Sequence, residues 1–461
     1  MNIETIKSVY FVGAGGIGMS ALVRYFLSKG KNVAGYDKTP SDLTETLIKE
    51  GADIHYDDNI CLIPDYCKDK ESTLVVFTPA IPNTHSELSY FRNNGFEIMK
   101  RAQVLGIITK SSRGLCVAGT HGKTTTSSML AHLLKQSHVD CNAFLGGILK
   151  NYNSNLMLSD KSDLTVVEAD EYDRSFHWLS PYMAVITAVD PDHLDIYGTE
   201  DAYRESFEHF TSLIRSGGVL LLKKGVNIKP RLNENVRMYT YSASDGGDFH
   251  AKNIRIGNGE IIFDFYGPEV EIKDVSLGVP VKINIENGVA AMALAFLNGV
   301  TEEEIRKGMA SFEGPARRFD FHLKKDDIVL LDDYAHHPAE LKASIVSVKE
   351  LYAGKRITGI FQPHLYSRTR DFASDFASSL SLLDELVLLD IYPAREEPIP
   401  GVTSEIIFKD VTISDKHLIK KEELLDYIKS NLSTFEVVVM LGAGNIDRLI
   451  EPVKQILENR G

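Results

Sequence analysis

A chain of 461 residues exceeds what one ordinary hydrophobic core organises, and a prior of about 150 residues per domain points to about three. Its 43% hydrophobic and 25% charged residues are those of a globular chain, and no window holds the roughly 20 apolar residues of a membrane span, which argues against membrane insertion. A net charge of −14 excludes broad nucleic-acid binding, which rests on neutralising phosphates with Lys and Arg. Cys61, Cys67, Cys116 and Cys141 lack metal-type spacing and are too few for a disulfide scaffold, so free thiols in a reducing cytoplasm are expected. The apolar start, Val9 to Leu27, carries Arg24 and several glycines with no small-residue cleavage site, and so belongs to the fold rather than to a secretory signal.

In chain order, residues 8–12 read as a strand. Gly13-Ala-Gly15-Gly16-Ile-Gly18 follows, then a helix over Met19–Ser28 and a strand over Asn32–Tyr36 ending at Asp37. This is G-x-G-x-x-G in a strand–turn–helix setting with an acid about 20 residues on. It calls for a diphosphate at a helix N-terminus and is silent on the rest of the ligand; tight helix–sheet packing is the alternative. A strand over Thr73–Phe77 runs into Thr78-Pro-Ala-Ile-Pro82, a loop. Lys110-Ser-Ser-Arg-Gly114 is a polar joint and marks the first domain boundary.

Leu115–Ala118 then form a short buried strand, Gly119 and Gly122 a tight turn, and Thr125–Lys135 a helix. The pattern matches G-x-x-x-x-G-K-[ST] except that Val117 stands where the first glycine belongs. It makes a phosphate cradle in which Lys123 reaches the terminal phosphates and the Thr124 hydroxyl can hold Mg²⁺. Two further strands, Leu164–Val167 and Ala184–Ala188, end in Glu168-Ala-Asp170-Glu171-Tyr-Asp173 and Asp190-Pro-Asp192-His193-Leu-Asp195. These loops offer carboxylates and a metal-competent histidine beside the cradle. From 218 to 282, short strands with turn signals at Asn258-Gly259 and Tyr266-Gly-Pro268 read as a small antiparallel appendage. Asn284 to Asn287 then open an apolar helix, Gly288–Leu297, which either asparagine can cap.

Phe312-Glu-Gly-Pro315-Ala-Arg317-Arg318-Phe319 marks the second joint. Strands over Ile328–Leu331, Arg356–Phe361, Leu386–Leu389 and Val437–Leu441 each end in a polar or glycine-rich cluster. These are Asp332 to Pro338, Gln362 to Arg370, Asp390 to Glu397 and Gly442 to Asp447. Four such ends on one edge of an open α/β sheet make a ligand cleft.

With these motifs in hand, the chain resembles the ATP-dependent Mur ligases of peptidoglycan synthesis. The likeness runs through Gly13-Ala-Gly-Gly-Ile-Gly-Met-Ser20, Gly119-Thr-His-Gly-Lys-Thr-Thr125, Glu168-Ala-Asp-Glu-Tyr-Asp173, Asp192-His-Leu-Asp195, Asp332-Asp-Tyr-Ala-His-His-Pro338, Gln362-Pro-His364 and Glu397-Pro-Ile-Pro-Gly401. The first and fifth of these point to the alanine-adding branch. The resemblance implies an α/β fold of three domains: a Rossmann-like domain at 1–111 for the UDP-sugar, a P-loop ATPase-type domain with a mostly parallel sheet at 112–314, and a Rossmann-like domain at 315–461 for the amino acid. UDP-N-acetylmuramate, L-alanine and ATP are the implied partners, Mg²⁺ or Mn²⁺ the implied ion, and a bacterial cytoplasm the implied setting.

Carried over residue by residue, the resemblance assigns the UDP-sugar to Gly13, Gly15, Gly16, Gly18, Asp37 and Thr78. It assigns ATP to Gly119, Thr120, His121, Gly122, Lys123, Thr124, Thr125, Asn284, Asn287 and Arg318, with Asp333 at the ribose. The metal falls to Thr124, Glu168 and His193. Tyr334, His336, His364 and Arg368 face the amino acid, with Arg370 a further candidate. Lys123, His336, His364 and Arg368 form the catalytic set. Val281, Ile283 and Leu365 depart from the family pattern, and no lysine lies between His193 and Phe210, as in the alanine-adding branch.

The expected chemistry is attack of the lactyl carboxylate on the γ-phosphate, followed by attack of the alanine amine on the acyl phosphate, with His336 or His364 accepting its proton. A nicotinamide oxidoreductase would use Gly13–Gly18 and Asp37 but leaves Gly119–Thr125 unexplained. A nucleotide-gated scaffold would bind ATP without consuming it. Within the family, a ligase that reattaches recycled peptides to the same sugar nucleotide is the nearest competitor.

Overall fold

Three mainly parallel sheets organise the chain. The structure, a computed structural model, describes residues 5–460 except Pro79, Ala80, Asp245, Asn258 and Arg395, and only the backbone of Leu194 and Asp195. The middle of the Thr78–Pro82 loop and the first residue of the Asn258-Gly259 turn therefore lie outside the described residues.

The first sheet holds β1 (Ser8–Val12), β2 (Asn32–Tyr36), β3 (Asp53–His55), β4 (Thr73–Phe77) and β5 (Glu97–Lys100), in the order β3-β2-β1-β4-β5, all parallel. β1 is buried at every position, as expected of a central strand in a parallel sheet. The order reverses between β1 and β4, so the glycine turn after β1 opens at a switch point.

The second sheet comprises β6 (Arg113–Ala118), β7 (Asn142–Leu149), β8 (Ser154–Met157), β9 (Leu164–Glu168), β10 (Met183–Ile186), β11 (Val219–Lys223), β12 (Arg237–Ser242), β13 (Phe249–Gly257), β14 (Glu260–Gly267) and β15 (Val270–Ser276). Their order is β15-β14-β13-β12-β11-β10-β6-β9-β7-β8. The expected appendage is thus corrected. β11, β12 and β13 pair in parallel and extend the central sheet, and only β13 to β15, joined by two-residue connections, form a meander of the antiparallel kind. Turn signals alone could not show that the strands before them continue an existing sheet.

The third sheet holds β16 (Asp320–Lys324), β17 (Val329–Asp333), β18 (Ile357–Phe361), β19 (Glu385–Leu388), β20 (Lys416–Leu418) and β21 (Val437–Leu441), ordered β16-β17-β21-β18-β19-β20. Only β16 runs antiparallel. β16 carries a bulge between Phe321 and Leu323 and β20 has three residues, so neither offered the sequence a clear period.

Three helix starts also differ from expectation. The first helix is Ile17–Ser28, beginning two residues before Met19. The cradle helix is Lys123–Lys135, since Gly122 at φ +81° already caps it. The apolar helix is Ile283–Leu297, which places Asn284 and Asn287 inside it rather than at its cap.

By contact density the chain divides into two compact units. One is Met1–Lys252 with Asp264–Lys273 and Glu286–Ser311, the other Asn253–Phe263, Asp274–Ile285 and Phe312–Gly461. Within the first, one core joins Val9, Phe11, Leu22 and Phe26 to Cys116, Val167, Ala184, Phe176, Phe207 and Phe210, welding the first sheet's helix to the second sheet. A polar bolt fixes the register: Arg24 donates to Asn155 Oδ1 at 2.6 Å, and Asn155 Nδ2 to the Ile17 carbonyl at 2.6 Å. Among the described residues no helix is long and apolar enough to cross a membrane, and all four cysteines are free thiols.

Candidate active site

The first glycine turn is built from within. Gly13 has φ +92°, and a Cβ there would meet Thr78 Cγ2 at 2.7 Å. Asp37 braces the turn: its Oδ2 accepts the Gly15 N–H at 2.6 Å and its Oδ1 the Thr39 N–H at 3.3 Å. A cavity of about 880 Å³ opens on this turn, lined by Gly13, Gly15, Gly16, Gly18, Asp37 and Thr78. The same cavity is lined by Gly146, Glu168 and Asp170 from the second sheet, and by Arg101, which the sequence reading missed. Arg101 donates to Asp170 Oδ2 at 3.0 Å and Lys100 to Asp173 Oδ2 at 2.6 Å, so two adjacent cations clamp the acidic loop.

The second glycine turn is closed by its neighbours. Gly119 has φ +139°, and a Cβ there would collide with the Thr187 hydroxyl, which bonds the carbonyls of Ala118 and His121. A Cβ on Gly122 would come within 2.7 Å of Asn287 Oδ1, which also accepts from Thr126 Oγ1 at 3.2 Å. Thr120 is anchored to the Asp190 carbonyl and the Tyr203 hydroxyl at 2.8 and 2.9 Å. His121 is exposed and Thr125 half-buried.

Lys123 Nζ donates to the Gly119 carbonyl at 2.7 Å and pairs with Glu171 at 2.7 Å. Glu171 is buried, and burial raises its pKa against the pull of Lys123. It was one acid among several in the sequence; only the fold shows it as the lysine's counter-ion.

Thr124 Oγ1 donates to Glu168 Oε1 at 3.1 Å, and Glu168 Oε2 accepts the Gly146 N–H at 3.1 Å. A hydroxyl beside a carboxylate at the phosphate turn is the oxygen set that Mg²⁺ or Mn²⁺ takes, so the residues fit such an ion. His193, at φ +51°, lies with Nε2 4.0 Å from Glu171 Oε1 and its ring edge-on to Tyr172. Among the described residues, the trios of acids and histidines with ligand atoms close enough for a metal lie elsewhere, at Asp58–His85–Glu87 and Glu385–Asp415–His417.

In the second unit the expected edge is present: β17, β18, β19 and β21 are parallel, and their clusters share one end of the sheet. The His336 and His364 rings meet edge to face at 6.1 Å, Tyr334 lies 5.1 Å from His336, and Tyr392 stacks on His364 at 5.8 Å. His336 Nδ1 faces the Tyr334 carbonyl at 3.0 Å and so carries the proton, which leaves Nε2 as the basic nitrogen. Burial lowers its pKa, with the Arg368 charge adding to the effect.

Asp333 is pushed up to about 6 by burial, eased by Ser344, the Ala335 N–H and the exposed Arg318. Arg370 is exposed and paired with Asp371 at 2.7 Å, apart from this ring cluster in its hydrogen bonding. Leu365 is buried at φ +71° with its N–H on the Tyr392 carbonyl. Asn284 donates to the Val279 carbonyl at 3.1 Å.

Arg317, also missed, organises this edge. It reaches the Gly442 carbonyl at 2.7 Å, Asp447 at 3.1 Å, Asp332 at 3.4 Å and the Tyr334 ring at 5.0 Å. Its signal in sequence was the joint preceding β16, which marks a boundary and says nothing of reach.

Comparison with known proteins matches three family models along the chain: "Mur ligase family, catalytic domain" at 8–113, "Mur ligase middle domain" at 117–295 and "Mur ligase, glutamate ligase domain" at 317–444. The UDP-N-acetylmuramate–L-alanine ligase of Parabacteroides distasonis is 74% identical over 457 residues, covering 99% of this chain and 98% of that one. Its counterpart in Phocaeicola vulgatus is 62% identical over the whole of both chains. The crystal structure of the UDP-N-acetylmuramate–alanine ligase of Thermotoga maritima superposes with a TM-score of 0.79 at 26% identity, covering 98% of each chain.

Proposed function

The chain belongs to the Mur ligase family, and from that premise we infer its reaction: it is an ATP-dependent ligase that joins the lactyl carboxylate of UDP-N-acetylmuramate to L-alanine, releasing ADP and phosphate, in peptidoglycan synthesis. The observation that carries this reading is the single cavity lined both by the first glycine turn and by Glu168 and Asp170 of the acidic loop. A sugar nucleotide held there by its diphosphate presents its far end to the metal carboxylate beside the phosphate cradle.

The division of labour follows from the residues. Residues 1–111 hold the UDP-sugar, 112–314 the ATP and 315–461 the amino acid. Gly119 to Thr125 cradle the ATP phosphates, with Asn284, Asn287, Arg318 and Asp333 assigned to its nucleoside. Lys123 leaves Glu171 for the γ-phosphate and stabilises the charge spread over the transferred group. Thr124 and Glu168, with His193, would hold Mg²⁺ or Mn²⁺, which supplies further neutralisation of that charge. The acyl phosphate formed is attacked by the alanine amine, and His336 Nε2, kept neutral by burial, accepts the proton. His364 and Arg368 orient the amino acid beside it. The setting is the bacterial cytoplasm, where all three substrates are soluble.

Phosphate release with ATP and UDP-N-acetylmuramate tests this directly, comparing L-alanine, glycine and a tripeptide. L-Alanine is expected to be fastest, with glycine slower by about 10- to 200-fold, the worth of one methyl group. Fastest release with the tripeptide makes this a peptide-recycling ligase instead, and no release with any of them ends the proposal.

A further inference from the structure

We propose that Arg101 is the residue that reads the diphosphate of the sugar nucleotide, and that it does so while joined to the metal-side loop through Asp170. The proposal rests on the UDP handle assigned above.

The first glycine turn by itself offers a diphosphate fewer donors than its motif suggests. In the usual dinucleotide turn the backbone N–H groups and the helix N-terminus face the anion. Here the Gly15 N–H is already bonded to Asp37 Oδ2 at 2.6 Å, which removes one donor and sets a carboxylate against the turn. Four carboxylates line the cavity, Asp37, Asp58, Glu168 and Asp170, against two permanent cations, Lys38 and Arg101. Lys38 is exposed, whereas the Arg101 side chain is 23% exposed. A ligand with two phosphates entering this cavity meets one built-in cation.

The position of that cation is specific. Its guanidinium lies so close over Gly18 that a Cβ there would collide with it. Gly18 is the second residue of the helix Ile17–Ser28, where a diphosphate bound to the turn would sit. The fourth glycine of the motif leaves room for the arginine to lie against the start of the helix. The other branch of the guanidinium donates to Asp170 Oδ2 at 3.0 Å, two residues after Glu168. Arg101 is planar and multidentate, so one face can serve a phosphate while the Asp170 bond persists. Nor does the loop depend on that bond alone, since Lys100 holds Asp173 at 2.6 Å and Asp170 Oδ1 accepts the Tyr172 N–H at 3.0 Å.

Calorimetric titration of the full chain with UDP-N-acetylmuramate, UDP-N-acetylglucosamine, UDP and UMP tests this. Arg101→Ala is expected to weaken the three diphosphates by about 10- to 100-fold, the worth of one charge-assisted contact, and UMP by clearly less. Arg101→Lys, which keeps the charge and loses the fork, should fall between. Asp170→Asn, which removes only the loop partner, should bind UDP no more weakly than wild type. Loss confined to UDP-N-acetylmuramate would assign the arginine to the lactyl carboxylate and overturn the proposal. Equal loss for UMP, unchanged binding of all four, or a matching loss in Asp170→Asn would also overturn it. Wild-type protein that binds no uridine nucleotide overturns the UDP handle as well, which separates the two failures.

Discussion

The two glycine turns look alike in sequence and are furnished in opposite ways. The first, Gly13 to Gly18, is braced by an acid, Asp37, and borrows its cation, Arg101, from a helix that begins more than eighty positions later. The second, Gly119 to Gly122, carries its own cation at the next position and holds it ready on a buried acid, Glu171. On the function proposed above, the contrast separates a turn that only holds its nucleotide from one that must act on it. A holding site needs a fixed charge balance. A cleaving site needs a mobile cation whose resting partner it can leave.

The sharpest break between the two turns is Lys123→Ala. Phosphate release is expected to fall by about 10²- to 10³-fold or more, while calorimetric UDP-sugar affinity stays near wild type. The variant also leaves Glu171 buried without its cation, which costs stability. Adding Glu171→Gln should restore the melting temperature without restoring turnover. Loss of UDP-sugar binding in that folded double variant would show that the turns are not independent.

A smaller contrast comes from the glycines themselves. Gly119→Ala forces a side chain onto φ +139° and against Thr187, and is expected to cost about 2–4 kcal/mol with loss of ATP-dependent release. Gly16 has φ −67° and nothing nearer its Cβ position than Met19 at 3.8 Å, so Gly16→Ala should unfold within about 0.5 kcal/mol of wild type. Because Gly16 lines the cavity, UDP-sugar affinity should still fall. Thermal melts and titrations of the two variants check both halves.

The sequence was most legible where the chemistry is local. Strand, turn and helix around Gly13 and Gly119 follow from short apolar runs and glycine spacing, and β1, β2, β4 and β21 have the ends expected. It was least legible where a residue acts at long range. Asp37 reads as a ligand to the UDP-sugar because the motif places an acid there, and the structure turns its carboxylate back to Gly15, a choice fixed by the tertiary fold. Arg101 and Arg317 carry no motif of their own, and nothing in the acidic run 168–173 singles out Glu171. Each works through partners dozens of positions distant, and only the topology brings those together. β12 was misplaced for the same reason, since its half-exposed residues give no sign of which neighbour it joins.

The acids beneath the two turns provide the finest distinction. Glu171 answers to a lysine. Glu87 sits fully buried below the first turn with the Asp58 carboxylate beside it and no lysine or arginine among its bonds, accepting from the Tyr10 hydroxyl at 2.7 Å and the Asn59 N–H at 3.1 Å, with His55 at 3.4 Å. Burial outweighs those bonds and pushes Glu87 up to about 7. Between its ordinary value and about 7 the folded chain holds a proton that the unfolded chain has released, so stability falls as pH rises through that window. His55 and His85 face the same cluster with pKa values lowered by burial and tilt the curve the other way, while Asp58, lowered by its bonds to Ser86 and Glu87, acts only at more acid pH. The difference between wild type and Glu87→Gln isolates the one group. The variant should gain about 1–3 kcal/mol relative to wild type on going from pH 5 to pH 8, read from denaturant melts. The same comparison made between Lys123→Ala and its Glu171→Gln double variant should show a dependence of the same sign, because without the lysine its opposing pull on the buried Glu171 carboxyl is gone; a flat difference would mean that Glu171 does not rely on its cation and that the two floors are not distinct after all.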